Sequence, residues 1–183
     1  MRKSKEEAAE TRRRIVTAAA AKFREHGIMA TGLADLMQAA GLTHGGFYKH
    51  FESKDQVVAE ACAEAVRVLM ENVEATPSRG SALGAYLSTR HRDDPATGCP
   101  LAALGSELAR SDKKTREAAT EGFLRLVNVV VGKSGKVPSE VARRRALVAV
   151  STMIGALTMS RVVTDAELSA DILREAEKSL TDG

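Results

Sequence analysis

The stretch AAGLTHGGFYKHFESKDQ, residues 39–56, limits what this chain can fold into more than any other part of it. Gly41-Leu42 is a tight-turn signal that closes a short apolar-striped segment, about Leu33 to Ala40, with Leu33, Leu36 and Met37 on one side. Thr43 is a good N-cap for a third short helix reaching about His50. Ser53-Lys-Asp-Gln56 then has the form of a capping box and opens a long fourth helix that runs to about Glu74. Upstream, Ser4 to Glu7 has the same form and starts a helical pattern through His26, with Gly27 in the usual C-terminal glycine position. Ile15, Ala18, Ala19, the stem of Lys22 and Phe23 form the inward face of that first helix, with Ala21 less regularly placed. Two short helices joined by a glycine-containing turn, with another packed across them, make a helix-turn-helix.

After Pro77 the helical texture continues. The sequence predicts a helix around Leu83, Tyr86 and Leu87, a charged loop RHRDDPATG, and a helix on CPLAALGSELARS. A long helix on KKTREAATEGFLRLVNVVVGK follows, then a Gly/Pro hinge from Gly135 to Pro138 and two final helices, about Ser139 to Val163 and from Asp165 to Leu180. No alternating strand pattern is present. With Ala, Leu, Glu and Arg dominant and only four prolines, the expected class is all-α, with about nine helices in total.

Charge is unevenly spread. Residues 1–54 carry ten Lys/Arg against six Asp/Glu, while the remainder is nearly neutral at 17 against 18. A basic N-terminal unit on a neutral body suits a polyanionic partner for the first part, although a solvated basic face gives the same count. Cys62 and Cys99 have neither CxxC spacing nor a histidine pattern, so no metal, no cofactor and no disulfide framework are expected. The longest uncharged stretch, Ala146 to Ser160, is 15 residues and holds Ser and Thr, too short and polar to span a bilayer. The charged N-terminus lacks a signal-peptide core, and a cytoplasmic protein with no membrane partner is expected. Paired carboxylates, nucleophile motifs and phosphate loops are missing, so an enzyme or a purely structural helical dimer is the remote alternative.

RRRIVTAAAAKFREHGIMATGLADLMQAAGLTHGGFYKHFESKDQVV resembles the N-terminal domain of the TetR (tetracycline repressor) family of bacterial transcriptional regulators. The resemblance is carried by the alanines before Phe23, by Gly27, Thr31 and Ala40-Gly41-Leu42, and by Gly46-Phe47-Tyr48, His50-Phe51 and Lys54. It covers roughly residues 9–69; GCPLAALGSELA also looks like a segment of one subgroup. Two departures are Gly32, where the family usually has Ser or Thr, and Met37, where it usually has alanine. The resemblance implies a DNA-binding domain at 9–69, with its helix-turn-helix at about 32–51, and a helical ligand-sensing and dimerisation domain at 70–183.

In a helix-turn-helix the last helix enters the major groove with its N-terminal residues at the base edges. Thr43, His44, Gly45 and Gly46 hold those positions, with His44 the candidate for a guanine contact and Thr43 for a phosphate or thymine methyl. The two glycines allow peptide N–H groups to come close to phosphate. Phe47 and Phe51, four apart, share an inward face, and Tyr48 turns outward with its hydroxyl available to a phosphate. His50 is read either as a phosphate contact or as the end of the helix. Lys54 and Thr31, at two helix starts, are candidate phosphate clamps.

For the second half, the resemblance implies a homodimer and a small-molecule effector. Leu147, Val150, Ile154 and Leu157, with Leu168 and Ile172, are the expected dimer interface, and Ala146, Ala149, Gly155 and Ala156 would permit close packing. Tyr86, Cys99, Leu104, Glu107, Phe123, Val127 and Met153 are the expected pocket, for an apolar or aromatic effector anchored by Glu107 or Tyr86. Cys99 offers a different trigger: beside a helix start and near Arg90, His91 and Arg92, its thiol pKa would be lowered, giving a redox- or electrophile-responsive repressor. An inert buried thiol is the competing reading, and Cys62 reads as core.

Overall fold

The computed structural model describes residues 5–132 and 139–182; for His44 and Arg79 only the backbone is described. Ser4 and the Gly135 to Pro138 hinge lie outside these residues. The described residues contain no strand. They form α1 (Lys5–His26), α2 (Leu33–Ala39), a 3-10 helix (His44–Lys49), α3 (Lys54–Glu74), α4 (Arg79–Tyr86), α5 (Thr89–Asp93), α6 (Pro100–Leu108), α7 (Lys113–Gly132), α8 (Ser139–Val162) and α9 (Ala166–Asp182).

Local chemistry sets most of these limits. Gly27 closes α1 with φ +90° and Gly41 closes α2 with φ +67°, conformations that side chains with a Cβ rarely adopt. At Gly41 the amide donates to Gln38 O and the Leu42 amide to Met37 O, the paired bonds of a Schellman C-cap. Ser53 caps α3 by accepting from Gln56 N at 3.2 Å, and Gln56 Oε1 reaches back to Glu52 N at 2.9 Å rather than to Ser53 N. Asp35 Oδ2 accepts from Gly32 N at 2.9 Å, the returning half of a capping box, while the glycine itself makes no side-chain cap bond.

Two expectations about elements need correcting. The third helix is 3-10 rather than α, and the Thr43 side chain makes no capping bond. Its bonds run from Gly46 N to Thr43 O and from His50 N to Phe47 O. Adjacent glycines, each about 1 kcal/mol worse than alanine in an α-helix, leave the tighter single turns as the better solution. The charged loop after Leu87 contains a short helix, α5, because Ser88 accepts from His91 N and nucleates a turn.

Two apolar clusters make the core. Ile15, Ala19 and Phe23 of α1, Leu36 and Met37 of α2, Phe47 and Phe51, and the first half of α3 form one of them, which also takes in Leu104 and Leu108 of α6. The second gathers the end of α3 with α4, α6, α7, α8 and Leu173 of α9. α3 runs without a break past position 69, where a domain boundary was expected. It packs along α7 so tightly that a Cβ on Gly122 would stand 2.5 Å from Val66 Cγ2.

Candidate nucleic-acid interface and cleft

Phe47 and Phe51 are buried, with their rings 5.6 Å apart, and anchor the 3-10 helix from below. Tyr48 projects with 69 % of its surface exposed, its ring edge-on to Phe47 at 5.2 Å. Thr43, Gly45 and Lys49 are also exposed, and nothing lies within 4 Å of where a Gly45 side chain would begin. The exposed turn is therefore a bare backbone ridge flanked by Thr43, Tyr48 and Lys49. Sequence reasoning passed over Lys49; its place beside Tyr48 is the signal that could have found it. The His44 side chain lies outside the described atoms. His50 is half-buried, and its carbonyl accepts from Arg12.

The arginines of α1 brace this unit from inside. Arg12 pairs with Glu60 and stands over the Phe51 ring at 4.1 Å. Arg14 donates to Ala40 O at 2.6 Å, holding the turn after α2, whereas Arg13 is exposed and pairs with Glu10. Thr31 corrects an expectation. It is 2 % exposed and its hydroxyl donates to Gly27 O at 2.7 Å, so it tightens the α1–α2 loop instead of facing a phosphate. Lys54 is half-buried, with Nζ donating to Ile28 O at 2.5 Å. An ammonium has three donors, so two N–H groups are left for an anion.

In the second half the main concavity is a cleft of about 460 Å³ between α3, α4, α5 and the loop after α5. Leu69, Val73, Ala82, Ala85 and Tyr86 give it apolar walls; Asn72, Thr76, Ser88, Arg90, His91, Asp94 and Thr97 supply polar groups. His91 is fixed as a neutral tautomer: Nδ1 donates to Tyr86 O at 2.8 Å, and Nε2 accepts from Cys99 N at 2.9 Å. Burial holds its pKa below the ordinary histidine value, with the Tyr86 carbonyl pulling the other way. Beside it Arg161 Nη1 is buried with no hydrogen-bond partner among the described residues, and the buried Tyr86 Oη has only the Cys99 thiol as a partner.

Of the seven expected pocket residues, only Tyr86 lines this cleft. Cys99, Leu104, Val127 and Met153 are buried core. Phe123 belongs to a separate shallow groove with Leu101, Arg116 and Ile154. Glu107 points the other way, accepting Ile28 N at 3.1 Å and Met29 N at 2.9 Å. The Cys99 thiol is fully buried, and that burial pushes its pKa up, outweighing the hydrogen bonds that favour the thiolate. The expected helix-terminus activation therefore does not win. Cys62 is likewise buried, its thiol pushed up to about 11.

Two family models match this chain. Residues 15–61 match "Bacterial regulatory proteins, tetR family", and residues 82–177, just over half the chain, match "Transcriptional regulator LmrA/YxaF-like, C-terminal domain". The chain belongs to the TetR family of bacterial regulatory proteins. Among TetR-family relatives, the HTH-type transcriptional regulator TtgR of Pseudomonas putida is 40 % identical over 76 residues. That match covers 42 % of this chain and 32 % of TtgR, so the chain spans about a third of that relative's length. The HTH-type transcriptional regulator Rv0196 of Mycobacterium tuberculosis is 29 % identical over 166 residues, covering 84 % of this chain and 86 % of the relative. A TetR-family regulator from Cytophaga hutchinsonii has the same fold, with a TM-score of 0.76 at 24 % identity over 98 % of both chains.

The last two helices of this TetR-family chain correct the expected dimer residues. Val150 and Leu157 are buried within the chain, as are Ala146 and Ala149, because they share the side of α8 that packs on the second core. Leu147, Ile154 and Ile172 are half-buried, with Leu147 and Ile154 against that same core. The outward side instead presents Val148, Met159 and Val162 of α8, with Gly155 between them and Leu168 of α9 nearby in sequence. No helix among the described residues is long and apolar enough to cross a membrane.

Proposed function

We propose that this chain is a dimeric transcriptional repressor that binds operator DNA through the 3-10 helix and is released by a small-molecule effector in the α3–α4–α5 cleft. The exposed backbone at Gly45, on a turn held up by Phe47 and Phe51 and flanked by Thr43, Tyr48 and Lys49, carries the reading. Such a backbone brings peptide N–H groups to phosphate, and Lys54, in the first turn of α3, adds an ammonium with donors beyond its bond to Ile28 O. Sparse side chains leave specificity to Thr43, His44 and the shape of the duplex.

Two protomers would pair through the outward side of α8 and α9, giving the two half-site contacts that useful specificity needs. The cleft's apolar walls and polar rim suit an amphiphilic effector more than a purely apolar one, with the cationic Arg90 at its polar end. Being a DNA-binding regulator, the protein would work in the cytoplasm and carry out no chemistry of its own.

Selection of bound fragments from the source genome, followed by titration of the recovered duplex between 50 and 200 mM salt, tests the proposal. Lys54→Ala should weaken binding to every sequence alike and reduce the slope of log K against log salt by about one. Failure of the wild-type chain to retain any duplex at low salt would overturn the reading.

A further inference from the structure

The effector half reaches into the α1–α2 loop with a single carboxylate. Glu107 stands at the end of α6, and its two oxygens accept the consecutive amides of Ile28 and Met29 at 3.1 and 2.9 Å. Gly27, in the left-handed conformation just before them, turns these amides toward α6, and a Cβ there would lie 3.1 Å from Glu107 Oε2. On the other side of the same loop, the Ile28 carbonyl holds Lys54 Nζ at 2.5 Å. The sequence Glu107, peptide 28–29, Lys54 is a continuous polar relay from one half of the molecule to the first turn of α3.

We infer that Glu107 is a positioning residue for DNA binding, setting the Lys54 ammonium through the Ile28 carbonyl; the inference rests on the DNA-binding reading above. A carboxylate is the group this geometry requires, because it offers two acceptors to two parallel N–H donors. A glutamine would satisfy one amide and turn N–H groups toward the other. With the loop fixed, Ile28 O holds one of the three Lys54 donors and so sets where the ammonium stands, with two donors beyond that bond for a phosphate. Without Glu107 the loop amides turn to water, the carbonyl position is no longer set, and the lysine loses its orientation.

The test titrates the full-length wild-type chain, Glu107→Gln, Glu107→Ala, Lys54→Ala and the Glu107→Ala/Lys54→Ala double variant against the recovered duplex at 50 and 200 mM salt. Wild-type affinity should fall about threefold more between the two salts than that of Glu107→Ala, the worth of one phosphate contact. Glu107→Gln should fall between them. In the Lys54→Ala background, Glu107→Ala should change neither affinity nor salt slope, because the relay has already lost its end. An equal loss with and without Lys54, or wild-type affinity and slope in Glu107→Ala, overturns the inference. If Glu107→Ala does not fold, Glu107→Gln carries the test, together with faster hydrogen exchange at the Ile28 and Met29 amides; unchanged exchange also overturns it. A wild-type chain that binds no duplex would defeat the DNA-binding reading itself, whereas binding that ignores Glu107 defeats this inference alone.

Discussion

Thr31 and Lys54 illustrate how two residues read alike in sequence can have different roles. Both sit near helix starts, but the threonine hydroxyl is buried on Gly27 O while the lysine keeps donors to spare. Thr31→Val keeps the shape and removes one hydrogen bond, so it should cost about 1 kcal/mol in urea unfolding. It should leave the salt dependence of DNA binding unchanged, the opposite pattern to Lys54→Ala. Met37 and Gly46 form a second pair. A Cβ on Gly46 would meet Met37 Cε at 3.4 Å, so the glycine gives room to a methionine where the family usually has alanine. His91 makes a prediction about pH. Its folded pKa lies below the unfolded value, so on acidification the unfolded chain takes the proton first. Stability from the neutral ring is fully present above about pH 6.5 and is lost as pH falls below that value toward the folded pKa. Thermal melts from pH 7.5 to 5 should show a steeper decline for the wild type than for His91→Gln, which keeps an acceptor for Cys99 N. Parallel curves would exclude His91 as the source.

Helix ends were legible because capping leaves a signature in residue type: Ser53 with Gln56, and Gly27 and Gly41 closing α1 and α2. What was not legible is which side of an apolar helix faces in. α8 carries aliphatic residues on both sides, so its periodicity does not separate Val150 and Leu157, which are buried, from Val148, Met159 and Val162, which are not. The cleft was missed for a related reason: its polar rim comes from Ser88 to Thr97, a segment that reads as loop until Ser88 is seen to cap α5. The 3-10 form of residues 44–49 was hidden too, since cap preference argues for a helix but not for which kind. The two sides of α8 can be told apart experimentally. If the protomers pair as proposed, Val148→Glu and Met159→Glu should leave the helical circular dichroism intact and shift sedimentation from dimer to monomer. Leu157→Ala should instead cost about 2–5 kcal/mol of stability, as for other large-to-small changes in a packed core. Exchange of these two outcomes would move the proposed dimer interface to the other side of the helix.

The whole molecule is tied together more firmly than a DNA-reading head on a separate sensing body would be. α3 belongs to both apolar clusters, Leu104 and Leu108 of α6 complete the first, and Arg24 of α1 donates to Ala96 O beside the cleft. Residues 5–76 alone would therefore leave uncovered the side of α1 and α3 that receives α6. Buried apolar surface contributes about 25 cal/mol per Å², so losing two leucines' worth of cover removes several kcal/mol from a unit already small enough to be marginal. We expect the full chain to unfold in one calorimetric transition at fixed protein concentration, with no separate melting of the first 76 residues. Leu108→Ala should lower that transition and, in native-state hydrogen exchange, reduce protection of the α1 amides around Ile15 and Phe23, although the substitution lies in the other half. Two resolved transitions, with α1 protection unaffected by Leu108→Ala, would mean that the halves fold independently. The proposed coupling between cleft and DNA would then have to run through the polar contacts of Arg24 and Glu107 without help from a shared core.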